Sequence, residues 1–143
     1  MKISVNKVTA HEDMQNCFDI RHEVFVKGQN VPLDEELDGK DGTSDHYLLL
    51  VDDIPAGVAR VRFVDYYAKV ERVAIVPEYQ GQGLGKSIMD AIISDLKNES
   101  AVMTVKLSSQ VQAIPFYQKL GFEECSEEYM DANIPHKDMI LNF

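Results

Sequence analysis

The sequence predicts an α+β fold with a mixed, mostly antiparallel sheet flanked by helices. Strand-like segments follow one another closely between residues 46 and 76, which is typical of an antiparallel meander. The apolar spacing becomes helical after Gly83, and residues 102–122 then read as a strand, a helix and a further strand. A chain of 143 residues fits one domain, so a single domain is expected over residues 1–143.

The first third of the chain predicts one strand followed by helical segments. Alternating apolar residues at 3–5 indicate the strand, and the capping-box spacing at 9–12 predicts the start of a helix. That helix should end at residues 27–30, with an acidic, partly helical stretch at 33–38 and a turn-rich segment at 40–45. The residues at helical intervals in the first helix are Met14, Phe18, Arg21, Val24 and Phe25.

The rest of the chain supplies the sheet and two more helices. Three antiparallel strands are predicted at residues 46–51, 56–65 and 69–76. A helix of about four turns should follow Gly83; its apolar positions are Leu84, Ile88, Ala91, Ile92 and Leu96. The last predicted elements are a strand at 102–107, a helix at 111–120, and a pair of strands at 122–130 and 137–143.

Composition restricts the partners of the protein. A formal net charge of −10 repels phosphates, so neither a nucleic acid nor a membrane surface is expected to bind. No apolar run reaches the roughly 18–20 residues of a membrane span, and residues 1–14 lack the apolar core of a secretory signal. Cys17 and Cys125 are far apart and the histidines are scattered, so we expect reduced thiols, no metal and a cytoplasmic location.

A glycine-rich loop between a predicted strand and a predicted helix is the most informative segment. Gly81, Gly83 and Gly85 allow positive φ and close approach of a ligand, while the first helical amides have no internal partners. Together these features predict a phosphate or diphosphate site, the alternative being a tight connection whose glycines serve packing. A Walker loop would need glycine at position 80, which is Gln80. A dinucleotide fingerprint would need glycine at position 86 or 88, which are Lys86 and Ile88, so neither nucleotide-binding motif is present.

The pattern Gln80-x-x-Gly83-x-Gly85 resembles the cofactor motif of the GNAT superfamily of acyl-CoA N-acyltransferases. Residues 113–122, AIPFYQKLGF, are similar to the helix that carries the catalytic tyrosine of that family. Residues 20–26, Gln29 and residues 134–136 resemble a small bacterial branch called ElaA-like or YjcF-like. The resemblance implies a GNAT-type sheet whose strands splay at the cofactor site.

The resemblance also implies acetyl-CoA as co-substrate and supplies the candidate cofactor-binding residues. Strand backbone would bind the pantetheine arm, loop amides would hold the diphosphate, and Gln110 stands where many relatives carry a cofactor-contacting Asn. The implied set is Val73, Ala74, Ile75, Gln80, Gly81, Gln82, Gly83, Leu84, Gly85, Lys86 and Gln110.

Three residues are candidates for proton transfer. Tyr117 aligns with the tyrosine that protonates the CoA thiolate, the alternative being a residue that fills the edge of the core. Glu71 shares a strand face with Val73 and could accept the amine proton through water, or could serve only in an ion pair. His136 is the second candidate base because imidazole titrates near neutral pH, or it could be a turn histidine.

The predicted function is direct transfer of an acetyl group from acetyl-CoA to a primary amine of a small molecule or protein. The alternative is a non-catalytic acyl-CoA-binding regulatory module, and either form allows a homodimer. The acidic residues between 34 and 45 could face a cationic acceptor or form a solvated loop, and Arg60 and Arg62 suggest a solvated sheet face.

Overall fold

The structure, a computed structural model, describes residues 1–99 and 101–143. In these residues eight strands form one sheet: β1 Ile3–Lys7, β2 Asp45–Val51, β3 Ile54–Val64, β4 Tyr67–Ile75, β5 Thr104–Gln110, β6 Glu123–Glu124, β7 Tyr129–Asp131 and β8 Ile134–Asn142. The α-helices are α1 His11–Arg21, α2 Leu33–Glu36, α3 Leu84–Lys97 and α4 Ile114–Lys119. A π-helical segment, His22–Lys27, continues α1, and 3-10 turns lie at Asp41–Thr43, Pro77–Tyr79 and Val111–Ala113.

The strands are ordered β1-β2-β3-β4-β5-β8-β6, and β7 pairs with β8 beside this path. The pairing of β4 with β5 is parallel, while every other pairing among the described strands is antiparallel. The parallel pair requires a crossover, and α3 supplies it. The predicted α+β class and its mixed, mostly antiparallel sheet are confirmed.

Helices cover both faces of the central strands. Residues 56–61 of β3 are buried without a break, so apolar side chains are covered on each side of the sheet. Both α1 and α3 pack on β3 and β4. The buried face of α3 is Leu84, Ile88, Met89, Ile92 and Leu96, close to the apolar set predicted from the sequence. Among the helices of residues 1–99 and 101–143, none has the length and apolar character that crossing a membrane requires.

Three local predictions are wrong in detail. The predicted capping box is absent, because Ala10 caps α1 and makes no side-chain hydrogen bond there. The helix predicted at residues 111–120 begins as a 3-10 turn, and its α-helical part is only Ile114–Lys119. The chain ends in two short strands and one long strand rather than in two strands, because Ala132 and Asn133 have φ of 51° and 62° and turn β7 back onto β8.

Candidate active site

The site begins where β4 and β5 stop pairing. The parallel ladder runs from Tyr67–Thr104 to Val70–Leu107, and the two strands diverge beyond it. β5 continues to pair with β8 as far as Gln110 and His136, so only the gap between β4 and β5 opens. A cavity of about 470 Å³ lies in this gap and extends to the π-helical segment and α2. The predicted strand splay is therefore confirmed.

A β-bulge gives β4 its course along the cavity. Arg60 pairs with Glu71 and Val58 pairs with Ala74, which leaves two β4 residues, Arg72 and Val73, opposite one β3 residue. Arg72 has a φ of 56°, a left-handed value that costs a non-glycine residue about 1 kcal/mol or more. The next three residues of β4, which the resemblance implies as cofactor-binding, line the cavity: Val73, Ala74 and Ile75.

The glycine-rich loop follows β4 and leads into α3. Gly81 and Gly83 have φ of 79° and 78°, and Gly83 is the N-cap of α3. In the described chain, the backbone amides of residues 81–86 donate to no acceptor, which leaves a run of unpaired donors at a helix N-terminus. A ligand with phosphate oxygens fits such a run.

Two residues of the loop fix its place beside the cavity. The Gln80 side-chain amide lines the cavity and donates to the Ile75 carbonyl oxygen at 2.9 Å, which ties the loop to β4. A Cβ atom on Gly85 would lie 3.2 Å from the Phe116 ring, so glycine allows α3 to approach α4 closely. Lys86 pairs with Asp90 at 2.6 Å on the exposed side of α3.

Tyr117 on α4 points to the cavity from a buried position. It is 9% exposed and packs edge-to-face on Phe116 and Phe122, with ring centroids at 4.9 and 5.9 Å. No residue of the described chain hydrogen-bonds the Tyr117 hydroxyl, and Tyr117 lines the cavity. Burial raises the pKa of Tyr117 to about 12, so the phenol remains protonated throughout the neutral range.

The Gln110 side chain is already engaged within the protein. Its amide nitrogen donates to the Gln29 side-chain oxygen at 2.8 Å, and the Gln29 amide donates back at 3.4 Å. The Gln112 amide also donates to the Gln110 oxygen, at 2.5 Å. Gln110 lines the cavity, yet a cofactor contact through its side chain would have to replace one of these hydrogen bonds.

An ionic network fills the space between α1–α2 and strands β3–β4. Arg21 and Arg60 are each only 1% exposed, so the network lies largely in the interior. The prediction that Arg60 and Arg62 form a solvated sheet face is wrong, since Arg60 is buried and Arg62 is partly buried. The arginines are Arg21, Arg60, Arg62 and Arg72, and their carboxylate partners are Glu36, Asp38, Asp41 and Glu71. Because Glu36, Asp38 and Asp41 are held by arginines, they are neither a solvated loop nor free to bind a cationic acceptor.

Glu71 lies in this network rather than free in the cavity. Its carboxylate accepts hydrogen bonds from Arg60 and from Arg62, the latter at 2.8 and 3.0 Å, and Lys69 is 3.6 Å away. Burial opposes the charge on Glu71, but the hydrogen bonds from Arg62 and Arg60 outweigh burial and lower its pKa to about 2. These contacts favour the ion-pair alternative, because such a carboxylate is a weak base at neutral pH.

His136 reaches the cavity from β8, opposite Gln110. It is 8% exposed, and its ring stacks on Tyr129 with centroids 6.1 Å apart. Its Nδ1 lies 2.6 Å from the Ile134 carbonyl oxygen, which can only accept a hydrogen bond. Nδ1 therefore carries the hydrogen, and in the neutral ring Nε2 is left as an acceptor.

The sequence predicted the strand, the loop and the tyrosine, but not the residues that line the other side of the cavity. Val24, Phe25 and Val31 line the cavity from the π-helical segment and the loop after it, and Ser108 lines it from β5. The network was also missed, although a signal was present. Arg21 stands among the apolar residues at helical intervals, which indicates a charge on the buried face of α1.

The low pKa of Glu71 predicts a loss of stability in acid. The pKa of Glu71 in the folded protein is about 2, below its ordinary value of 4.5. The contribution of Glu71 to the free energy of unfolding is therefore complete above pH 4.5 and is lost as the pH falls towards 2. The shift corresponds to on the order of 3 kcal/mol of unfolding free energy. Urea denaturation of the wild type and Glu71→Gln should show the largest difference at about pH 6 and a smaller one at about pH 3. A difference that does not change with pH would contradict this role.

Comparisons with known proteins agree with this geometry. Residues 8–143 match the acetyltransferase (GNAT) domain. YjcF of Bacillus subtilis, named as an uncharacterized N-acetyltransferase, is 38% identical over 130 residues, which are 90% of this chain and 92% of YjcF. The crystal structure of Escherichia coli ElaA covers 97% of this chain and 99% of its own, with a TM-score of 0.87 at 24% identity.

A ligand-bound structure has the same fold. The crystal structure of a GNAT acetyltransferase from Elizabethkingia anophelis with acetyl-CoA bound has a TM-score of 0.77 at 14% identity, over 99% of this chain and 98% of that one. The family match covers nearly the whole sequence, and the YjcF match supports the branch that the sequence resembles. The chain belongs to the GNAT family of acetyltransferases.

Proposed function

We propose that this protein transfers an acetyl group from acetyl-CoA directly to a primary amine of a small molecule or protein. The observation that carries the proposal is the unpartnered Tyr117 hydroxyl, which lines a cavity that also reaches Gln80, the residue before the loop with the unpaired amides. A phosphate-binding loop beside a buried, protonated phenol suits a reaction that expels a thiolate from a phosphorylated carrier. The proposal includes the cytoplasmic location predicted from the sequence.

The residues of the loop and of β4 fit a CoA thioester. Six consecutive amides from residue 81 to 86 would donate to the diphosphate, and no described atom would crowd a ligand at Gly81 or Gly83, where a Cβ would meet open space. Val73 and Ile75 would bind the pantetheine arm through the β4 edge that β5 leaves unpaired. The relative from Elizabethkingia anophelis was crystallised with acetyl-CoA bound, which supports this ligand class.

Tyr117 would act as the general acid. As the amine attacks the thioester carbon and the carbon–sulfur bond breaks, the Tyr117 hydroxyl would donate its proton to the leaving sulfur. Burial keeps that proton in place at neutral pH, since the pKa of Tyr117 is raised to about 12. No covalent intermediate on the protein is required.

His136 would act as the general base. The hydrogen bond from its Nδ1 to the Ile134 carbonyl oxygen leaves Nε2 to accept the proton that the amine loses. Glu71 is the weaker candidate, because Arg60 and Arg62 occupy its oxygens. We therefore assign Glu71 to the ionic network, and we assign to His136 the role of accepting the amine proton.

The loop assignment predicts that Gly83→Val abolishes acetyl-CoA binding. Valine strongly disfavours a φ of 78°, so the loop should move and its amides should separate, although no atom lies within 4 Å of the new Cβ. Gly83→Asn is the matched control, because asparagine tolerates the left-handed region and should retain much more affinity. Isothermal titration calorimetry measures the acetyl-CoA affinity of both variants. Unchanged affinity in Gly83→Val would remove the loop from the ligand site.

The acid assignment predicts that Tyr117→Phe retains acetyl-CoA affinity and lowers turnover by about 100-fold. The measurement is release of the CoA thiol over a panel of amine acceptors. Tyr47→Phe is the control, because it removes a hydroxyl that donates to Asp95 at 2.8 Å and does not line the cavity. Equal turnover in Tyr117→Phe and the wild type would exclude the phenol as proton donor. Binding without transfer to any acceptor in the wild type would favour the non-catalytic acyl-CoA-binding module.

The base assignment predicts different pH–rate profiles for two glutamine variants. His136→Gln should lower turnover most near neutral pH, and the loss should shrink as the pH rises because the free amine becomes abundant. Glu71→Gln should lower stability and leave the shape of the profile unchanged. The opposite pattern would make Glu71 the base, and full activity in both variants would leave water to take the proton.

A further inference from the structure

Arg72 has a backbone conformation that its residue type disfavours. Its φ of 56° lies in the left-handed region, where a bulge residue is usually glycine. Arg72 stands in the β4 bulge opposite Ala59 and lines the cavity, as do Val73, Ala74 and Ile75 after it. A non-glycine residue persists in such a conformation only when its surroundings hold it there.

The Arg72 side chain is held by the end of α2. Its Nε donates to a carboxylate oxygen of Glu36 at 2.6 Å, and its Nη2 donates to the backbone oxygens of Glu36 at 3.0 Å and Glu35 at 3.3 Å. These oxygens belong to the last residues of α2, where a cation is favoured. The bulge is thus attached to α2 through one guanidinium.

The Glu36 side chain is itself held in place by burial and by a second arginine. It is only 3% exposed, and its carboxylate also accepts hydrogen bonds from Nε and Nη2 of Arg21, both at 3.0 Å. Two arginines from different elements therefore share one buried carboxylate, and Arg21 is buried on α1. Arg72 is therefore held by groups outside the sheet, which are the Glu36 carboxylate, the backbone oxygens of Glu35 and Glu36, and an Asp38 carboxylate oxygen 3.4 Å from Nη2.

The bulge matters to the site because the β4 edge beyond Val70 has no strand partner on the β5 side. If the backbone at Arg72 relaxed to a negative φ, the direction of the following peptide groups would change. The β4 amide that the proposed reaction needs at the acyl carbonyl would then change direction. The diphosphate loop starts after Tyr79 and is joined to β4 by the hydrogen bond from Gln80 to the Ile75 carbonyl oxygen, so it should be disturbed less.

We propose that Glu36 is a positioning residue for the acyl carbonyl: by holding Arg72, it keeps the β4 bulge in the conformation that directs a backbone amide at the carbonyl oxygen. This inference rests on the proposed function. It assigns to Glu36, which lines the cavity from α2, a role in binding the acyl group carried by CoA. Since free CoA has no carbonyl at that place, the role can be measured without an acceptor.

The experiment compares acetyl-CoA and CoA binding to the full chain by calorimetry. Glu36→Gln keeps the side-chain size but offers one neutral acceptor oxygen to two arginines, so its hold on Arg72 weakens. Acetyl-CoA affinity should fall roughly three- to tenfold, the effect of one net hydrogen bond, while CoA affinity stays within error. A purely structural role would move both affinities together.

Two matched variants separate positioning from general destabilisation. Asp41→Asn removes charge from the same network, where Asp41 binds Arg21 at 2.7 Å and Arg60 at 3.0 Å. It should lower thermal stability and leave the acetyl-CoA to CoA affinity ratio unchanged. Arg72→Gly permits the left-handed φ without a side chain, so adding Glu36→Gln to it should change the ratio no further.

The outcomes are distinct. If Glu36→Gln preserves the affinity ratio, or lowers it equally in the Arg72→Gly background, the positioning role is wrong. A wild type that binds acetyl-CoA and CoA equally would also overturn it. A wild type that binds neither would instead contradict the proposed function. Should Glu36→Gln fail to fold, Arg72→Lys serves as the second variant, because lysine keeps the charge but cannot make the paired contacts with Glu36. It should lower the ratio in the same way, and an unchanged ratio would overturn the proposal.

Discussion

The divergence of β4 and β5 is the constraint on which the site depends. Their parallel ladder ends at Val70 and Leu107, so the facing backbone groups beyond these residues need another partner. The gap does not spread, because β5 remains paired with β8 on its other side and β4 remains paired with β3. Two well-anchored edges therefore face a space that a ligand can enter, and the bulge in β4 increases the local bend.

Charged side chains, in addition to apolar ones such as Cys17 and Ile20, join α1 and α2 to this part of the sheet. Burying Arg21 and Arg60 costs solvation, and each is compensated by more than one carboxylate. Replacing a whole network of this kind by apolar packing often costs little stability, whereas removing one partner leaves a buried charge without compensation. The network also allows few alternative arrangements. We infer that its main effect is to fix the backbone geometry of β4, which apolar contacts would define less sharply.

The local parts of the site could be predicted from sequence, and the non-local parts could not. The glycine loop and α3 follow from glycine spacing and a helical pattern within one segment, and Tyr117 follows from a short resembling block. The partners of Arg60 and Arg72 lie 11 to 36 residues away, and no periodic pattern specifies which carboxylate meets which arginine. The alternation of side chains along β3 correctly predicted that Arg60 and Arg62 share one face of the sheet. It could not reveal that α2 and the turn at Asp41–Thr43 cover that face.

The structure also separates the ionic network from the two proposed proton-transfer groups. Arginines beside a phenol favour its ionised form, but burial among aromatic rings is the cause of the raised pKa of Tyr117. His136 has a backbone carbonyl, not a carboxylate, at Nδ1. Among their contacts in the described residues, Tyr117 and His136 have no charged hydrogen-bond partner, while Glu71 has two arginines. The proposed acid, which must keep its proton, and the proposed base, which must be able to take one, thus lie on α4 and β8. The charges of the ionic network lie instead on β3, β4, α1, α2 and the residues that follow α2, where they hold the backbone of β4.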